Sequence, residues 1–168
     1  PNGQVPTYNT TKFASSFCVV PPKDEKNRGP CQGESCCLGN PINSGVGNKY
    51  QIETDFSLTS LNFSRAYSSF DFQLNGAPVY SLMGRHWNHN YERYVIADAV
   101  DPNKVYVTRP DGKAYEFALS GDLWVPDDDI HDQLVQLTDA QSVPTGWRYT
   151  TQDNTVEDYD LSGKLVSI

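Results

Sequence analysis

Four cysteines have the most distinctive spacing in this sequence: Cys18, Cys31, Cys36 and Cys37 all lie in its first quarter. Four cysteines allow three disulfide pairings. A bond between the neighbours Cys36 and Cys37 closes a strained ring, so pairings of Cys18 and Cys31 with Cys36 and Cys37 are favoured. A zinc site usually combines two short Cys or His pairs, and this spacing fits that pattern poorly. We therefore favour disulfides, and an oxidising compartment, over free thiols and zinc.

Histidines and aspartates offer metal ligands or catalytic groups, but their spacing favours structural roles. His86 and His89 are three residues apart, which places them on opposite faces of a strand, so they do not easily bind one metal. An acidic run could supply oxygen ligands for calcium, yet it lacks the glycine and distal glutamate of an EF-hand loop. The run contains Asp122, Asp127, Asp128, Asp129 and Asp132, with His131 beside it. We expect a solvated loop there, and no catalytic residue, metal or cofactor in the chain.

Aromatic side chains are the remaining candidates for binding, because exposed rings can stack on sugars. Trp87, Trp124 and Trp147, with Tyr80 and Tyr94, could form such a surface if they shared one exposed face. Tryptophans in alternating strands more often pack in a core. We therefore expect core packing for most of these rings, and keep Trp87, Trp124 and Trp147 as candidates for a glycan contact.

Composition narrows the classes of protein to which the chain can belong. Its 168 residues suit one compact domain with an extension, and its net charge is −8. Thirteen scattered Lys and Arg residues do not form the basic patch that a nucleic-acid binder needs. No apolar run approaches the ~18–20 residues of a membrane span. Ten Tyr, eleven Pro and twelve Gly favour strands and turns over long helices.

The elements that must position these residues are strands. Residues 50–56 and 61–67 alternate apolar and polar side chains, and the polar break between them predicts a hairpin. Pro110-Asp111-Gly112 predicts the turn of another hairpin. Further alternating runs lie at 87–95, 105–107, 115–119, 135–137, 147–151, 156–159 and 164–168. This spacing predicts an all-β, antiparallel, hairpin-rich domain resembling a sandwich or a partial barrel.

Residues 1–38 have a different character, because the charged, Pro-rich stretch 21–33 shows no periodicity. We expect an irregular, Cys-containing arm over 1–38 and a β domain over 39–168. The domain should end in a hairpin at 155–168, and we expect the last strand of that hairpin to present an open edge.

The end of the chain carries a distinctive hairpin motif. The run Tyr159-Asp160-Leu161-Ser162-Gly163-Lys164-Leu165 is similar to a YD repeat, Tyr-Asp-x-x-Gly-(Arg/Lys)-Leu, and so resembles the Rhs/YD-repeat family of bacterial proteins. Residues 84–93 are similar to the family's Gly-x-x-Trp-x-His-x-Tyr-Glu signature, and 109–117 to its Arg-x-Asp-Gly…Phe hairpin. Residues 39–51 resemble the opening of the conserved region before the repeats. The residues that carry the resemblance are Gly39, Asn40, Pro41, Gly47, Trp87, His89, Tyr91, Glu92, Asp111, Gly112, Tyr159, Asp160 and Gly163.

The resemblance covers about residues 36–168 and implies a structural role. In that family, repeated β-hairpins build a shell, and a variable effector segment lies far beyond them. The resemblance therefore implies a non-catalytic module of a large exported or cell-surface protein, such as a polymorphic toxin, that caps or starts the shell. Its partners would be the rest of the parent chain and components of a secretion system. The alternative is a module that binds surface carbohydrate or a protein partner.

Overall fold

A computed structural model describes residues 42–43, 47–59, 61–70, 72–74, 77–79 and 81–168. Within these residues the fold is all-β and antiparallel, as the alternating runs predict, and no described residue is helical. No helix long and apolar enough to cross a membrane therefore occurs among them. The cysteines Cys18, Cys31, Cys36 and Cys37, the motif residues Gly39, Asn40 and Pro41, and the boundary at residue 38 lie outside the described residues.

The described residues form fourteen strands in chain order. They are β1 (Ile42–Asn43), β2 (Asn48–Ser57), β3 (Asn62–Ser68), β4 (Phe72–Leu74), β5 (Ala77–Val79), β6 (Trp87–His89), β7 (Tyr94–Ala97), β8 (Lys104–Thr108), β9 (Ala114–Ser120), β10 (Leu123–Pro126), β11 (Gln133–Thr138), β12 (Pro144–Thr150), β13 (Val156–Asp160) and β14 (Leu165–Ser167). Strands β4 and β5 form a separate two-stranded pair.

Strands β7 to β14 form an eight-stranded sheet in which spatial order follows chain order. Each strand pairs with the next through a short turn, as the predicted hairpins require. Strand β8 shows the alternation of inward and outward side chains, because Val105 and Val107 are buried while their neighbours are half-buried. The inward side chains form one core of Val95, Val105, Val107, Phe117, Leu134, Trp147, Tyr149 and Tyr159.

The eight-stranded sheet curls until its first and last strands nearly meet. Tyr94 bridges Lys164, and the Val95 N–H donates to the Gly163 carbonyl at 2.9 Å. Gly163 has a φ of +80°, and a Cβ on it would lie 1.8 Å from the Val95 carbonyl oxygen. Glycine is therefore required here both for its backbone conformation and for the close approach of two strands. We call this junction the barrel seam.

The barrel seam limits the open edge that we expected on the last hairpin, but does not remove it, because β14 is still the last strand of its sheet. The hairpin forms at the predicted place, from β13 and β14. Its edge is closed on β7 at Gly163 and Lys164, since the sheet curvature brings the turn against the first strand. Beyond Lys164, no second strand pairs with β14 in the described part of the chain.

Strands β1, β2, β3 and β6 form a four-stranded sheet that lies beside the turn between β8 and β9. The β2–β3 hairpin forms as predicted. Its inner face carries Tyr50 and Ala66, both 7% exposed. A Cβ on Gly112, in the β8–β9 turn, would lie 3.4 Å from the Ser68 side chain, so the two sheets are in close contact there.

Two details of this sheet differ from the alternation in the sequence. A β-bulge between Thr54 and Phe56 places Phe56 opposite Phe63, so Phe56 leaves the face that Ile52 occupies. The run 87–95, expected to be one strand, is split between β6 in the four-stranded sheet and β7 in the eight-stranded sheet. Residues 90–93 belong to no strand and carry the chain from the first sheet to the second.

Candidate functional site

The most buried charged group in the described residues is the carboxylate of Glu157, whose side chain is 0% exposed. Arg109 binds it with two parallel hydrogen bonds, from Nη1 to Oε2 at 2.6 Å and from Nη2 to Oε1 at 2.8 Å. Arg93 donates a further hydrogen bond to Oε1. The Tyr159 hydroxyl donates to Oε2 at 2.5 Å. We call these four residues the Glu157 network.

Three separate parts of the chain supply this network. Glu157 and Tyr159 are two residues apart on β13, so both side chains point into the barrel. Arg109 follows the end of β8, in the turn that leads to β9. Arg93 ends the connection between the two sheets, and its Nε also donates to the Asn90 carbonyl at 3.0 Å. The network therefore links the hairpin at the end of the chain to segments about 50 to 60 residues earlier.

A second layer of contacts holds Arg109 in place. Its guanidinium lies over the ring of Tyr149, 4.8 Å from the centroid, which is a favourable cation–π geometry. The Tyr149 hydroxyl donates to Asp132, and Asp132 also accepts the Gln152 N–H at 2.8 Å. Asp132 belongs to the acidic run that could have supplied calcium ligands. Its carboxylate instead accepts hydrogen bonds from the buried Tyr149 and from the Gln152 backbone.

Electrostatics in the Glu157 network keep the carboxylate ionised. Burial acts to raise the pKa of Glu157, but the hydrogen bonds and charge of Arg109, with Tyr159 and Arg93, lower this pKa overall. The pKa of Arg109 is raised by its partner Glu157 in spite of burial. Burial and Glu157 also raise the pKa of Tyr159. An ionised, enclosed carboxylate with both oxygens hydrogen-bonded is poorly placed to exchange protons with a substrate.

Glu92 forms a second buried carboxylate site, and its exposure is 5%. It accepts the Leu82 N–H at 2.7 Å and a hydrogen bond from the Ser81 hydroxyl. His89 Nε2 lies 3.9 Å from the same carboxylate, while its Nδ1 accepts the Tyr91 N–H at 3.3 Å. Ser81 is therefore bonded to the acid and not to the histidine, which is not the order of a Ser–His–acid triad.

The other motif residues also make local structural contacts. Gly47 and Gly112 adopt positive φ in turns. The Tyr91 hydroxyl donates to the Asn62 carbonyl at 2.8 Å, which fastens the segment after β6 to β3. Asp111 lies 3.3 Å from Lys113 Nζ. Asp160 accepts the Lys164 N–H at 3.0 Å within the turn that leads to the barrel seam.

The three tryptophans do not share one exposed face. Trp87 lies on the four-stranded sheet, where the Arg65 guanidinium is 5.2 Å from its ring centroid and Tyr67 contacts its edge. Trp124 and Trp147 lie on the eight-stranded sheet and meet edge to face at 5.4 Å. Trp147 is only 7% exposed and belongs to the core. Its ring is therefore in contact with protein and has little surface for a sugar.

Among the described residues, no group of three or more His, Cys, Asp or Glu side chains is arranged to hold a metal ion. His86 contacts the ring of Tyr67, and His89 stacks on Phe63 at 5.5 Å. The structure thus places both histidines among aromatic side chains.

The Glu157 network was missed by the sequence analysis, although its members fall within or beside the recognised motifs. The alternation of side chains along β13 could have revealed it, since Glu157 lies two residues from Tyr159 and so points to the same inward side. A buried carboxylate usually needs a cationic partner, and Arg93 and Arg109 both lie in stretches that resemble the family motifs, at 84–93 and 109–117.

Comparison with known proteins gives one match. Residues 39–117 match the family model described as Domain of unknown function (DUF6531). The match contains Arg93 and Arg109 and ends before Glu157, so the network joins the matched region to the hairpins that follow it. No curated protein matches the chain. No solved structure matches it either.

Proposed function

We propose that this chain is a non-catalytic structural module that caps or starts the β-hairpin shell of a large exported bacterial YD-repeat protein. The observation that carries the proposal is the Glu157 network. Residues from three motif regions meet there at one enclosed carboxylate, with the Glu157 side chain 0% exposed. Motif residues engaged with one another in the interior support a fold and are not available to a substrate.

The shape of the eight-stranded sheet also supports the proposal. The sheet is a simple succession of hairpins, and the barrel seam closes it only at Gly163 and Lys164. Past that point β14 continues with a free side over Leu165–Ser167, as far as the structure describes the chain. A following hairpin could pair there and continue the shell. The parent chain would thus be the first partner of this module, with secretion-system components further partners at the cell surface.

Hydrogen exchange tests the proposal directly. The chain would be compared with a longer version that continues into the repeats that follow it in the parent protein. We expect the β14 amides that do not donate to β13 to exchange at least about tenfold more slowly in the longer version, because a neighbouring hairpin protects them. Amides of β12, which pair on both sides already, serve as the internal control. Equal exchange of β14 in the two versions would contradict a shell that starts here.

The second candidate function is binding of surface carbohydrate. The tryptophans give it little support, because Trp87 lies on a different sheet from Trp124 and Trp147, and Trp147 is buried. A different observation favours it, namely a cleft with open hydroxyl groups between the two sheets.

A further inference from the structure

A cleft of about 290 Å³ separates the four-stranded sheet from the turn between β8 and β9. On one side it is lined by Tyr50 and Ser64, from β2 and β3. On the other side it is lined by Pro110, Asp111 and Tyr115. Its volume lies just below the range for sites of drug-sized ligands, ≈ 300–1,000 Å³, and suits a ligand of a single ring. We call it the Tyr50–Tyr115 cleft.

Three hydroxyl groups in this cleft have no protein partner among the described residues: those of Tyr50, Ser64 and Tyr115. These three oxygens are not among the enclosed polar atoms that lack a hydrogen bond. They are therefore open to water or to a ligand. Burial, with the nearby Asp111 carboxylate, raises the pKa of both tyrosines. Their hydroxyls therefore keep their protons at neutral pH, and each can both donate and accept a hydrogen bond.

The charged groups around the cleft are already paired. Arg109 binds Glu157, and Asp111 contacts Lys113 at 3.3 Å. Arg65 binds the Asp55 carboxylate through two hydrogen bonds of 2.7 and 2.8 Å. A charged ligand would have to compete with these existing pairs, whereas a neutral ligand would leave them intact.

Apolar surface completes the lining, from Ile52, Ala66 and Pro110. Neutral hydroxyl donors and acceptors beside apolar carbon match the two kinds of surface on a sugar ring, its hydroxyl rim and its C–H face. We propose that the Tyr50–Tyr115 cleft binds one neutral pyranose ring. The proposal goes beyond the structural role and does not depend on it. The test of the structural role measures amide exchange on β14, whereas the test below measures ligand binding in the cleft.

Saturation-transfer NMR on the whole chain tests the site. Methyl glucuronide is the charged comparison, and the neutral probes are the methyl glycosides of glucose, galactose, mannose and N-acetylglucosamine. We expect saturable binding of at least one of them. Tyr50→Phe and Tyr115→Phe each remove one hydroxyl and should weaken that binding about 3- to 10-fold. Tyr67→Phe is the matched control, since Tyr67 lies on the opposite face of the same sheet and should leave binding unchanged.

Three results would overturn the proposal: no saturable binding of any neutral glycoside, equal binding by both cleft variants and the unaltered chain, or binding of methyl glucuronide alone. The amide spectrum of each variant reports whether it is folded. If a tyrosine variant unfolds, Ser64→Ala replaces it, because Ser64 also contributes a hydroxyl to the cleft. An unchanged affinity in folded Ser64→Ala protein would then count against the site.

Discussion

At the residue scale, the interior of the barrel is organised by one carboxylate. Two arginines, one tyrosine hydroxyl and the enclosing strands leave Glu157 ionised and without solvent. Removing its charge would leave two largely enclosed guanidinium groups facing a neutral acceptor. The cost of such a change is set by the desolvation of the unpaired charges as well as by the lost attraction.

The first prediction concerns this charge. Glu157→Gln keeps the shape of the side chain but removes the negative charge, and we expect it to lower the free energy of unfolding by about 3–5 kcal/mol. Asp158→Asn is the matched control on the adjacent residue, whose Arg148 partner is largely exposed. That substitution should cost at most ~1 kcal/mol. Urea denaturation of both variants measures the difference, and equal losses would refute the role of Glu157.

The second prediction is the pH dependence of stability. The pKa of Glu157 is lowered from its ordinary 4.5 in the folded protein, so the unfolded chain binds the proton more readily. The stabilisation by Glu157 is therefore fully present above about pH 4.5 and is lost as the pH falls through the lowered pKa. Unfolding free energies of the unaltered chain should decrease over this acidic range more steeply than those of Glu157→Gln. Parallel curves for the two proteins would show that the carboxylate does not titrate as described.

At the element scale, the turns and the barrel seam determine how the eight-stranded sheet closes. Gly112, Gly121 and Gly163 all adopt positive φ, but their surroundings differ. A Cβ on Gly121 would have no atom within 4 Å, whereas one on Gly163 would overlap the Val95 carbonyl. The glycine of the YD motif is thus needed for its turn and, in addition, for contact between the first and last strands of the barrel.

The third prediction follows from this pair of glycines. Gly121→Ala introduces only the conformational strain of an L-residue at positive φ, about 1–2 kcal/mol. Gly163→Ala adds a steric overlap with a backbone atom that cannot move without opening the seam, so its loss of unfolding free energy should be clearly larger. Exchange of the Val95 amide should also accelerate in Gly163→Ala alone. A similar loss in both variants would mean that the seam contributes little.

Sequence alone predicted most of the elements. The hairpins β2–β3, β8–β9 and β13–β14 follow from alternation and from turn residues, which are local signals. The bulge before Phe56 and the break between β6 and β7 were not predictable, because both depend on which sheet each segment joins. Strand β10 was missed, since only residues 123–126 pair and their apolar run is short. The alternation of β13 places Glu157 inward, but the identity of its partners Arg93 and Arg109 depends on distant pairing that no local pattern contains.

At the scale of the whole molecule, the two sheets differ in how much they bury. The eight-stranded sheet encloses a core of large side chains, including Phe117 and Tyr149 at 0% exposure. The four-stranded sheet buries few residues, and Ile52 on its inner face remains 59% exposed. Stability should therefore be unevenly distributed, with the eight-stranded sheet the more protected part.

The fourth prediction expresses this difference. Native-state hydrogen exchange at increasing urea should show amides of β2 and β3 opening at a lower free energy than those of β12 and β13, because less apolar surface holds the four-stranded sheet. Within each sheet the opening should be cooperative. Identical opening free energies for β3 and β12 would show that the two sheets unfold as one unit.

The Glu157 network joins distant segments into one scaffold, and a double-mutant cycle on Arg109 and Glu157 tests this role most directly. The single variants Arg109→Met and Glu157→Gln each leave buried charge without its full partner set, while the double variant removes both members of the bidentate pair. Urea denaturation should give a double variant that loses at least ~2 kcal/mol less than the sum of the single losses. Strictly additive losses would mean that the two side chains do not interact in the folded protein, and would contradict the account.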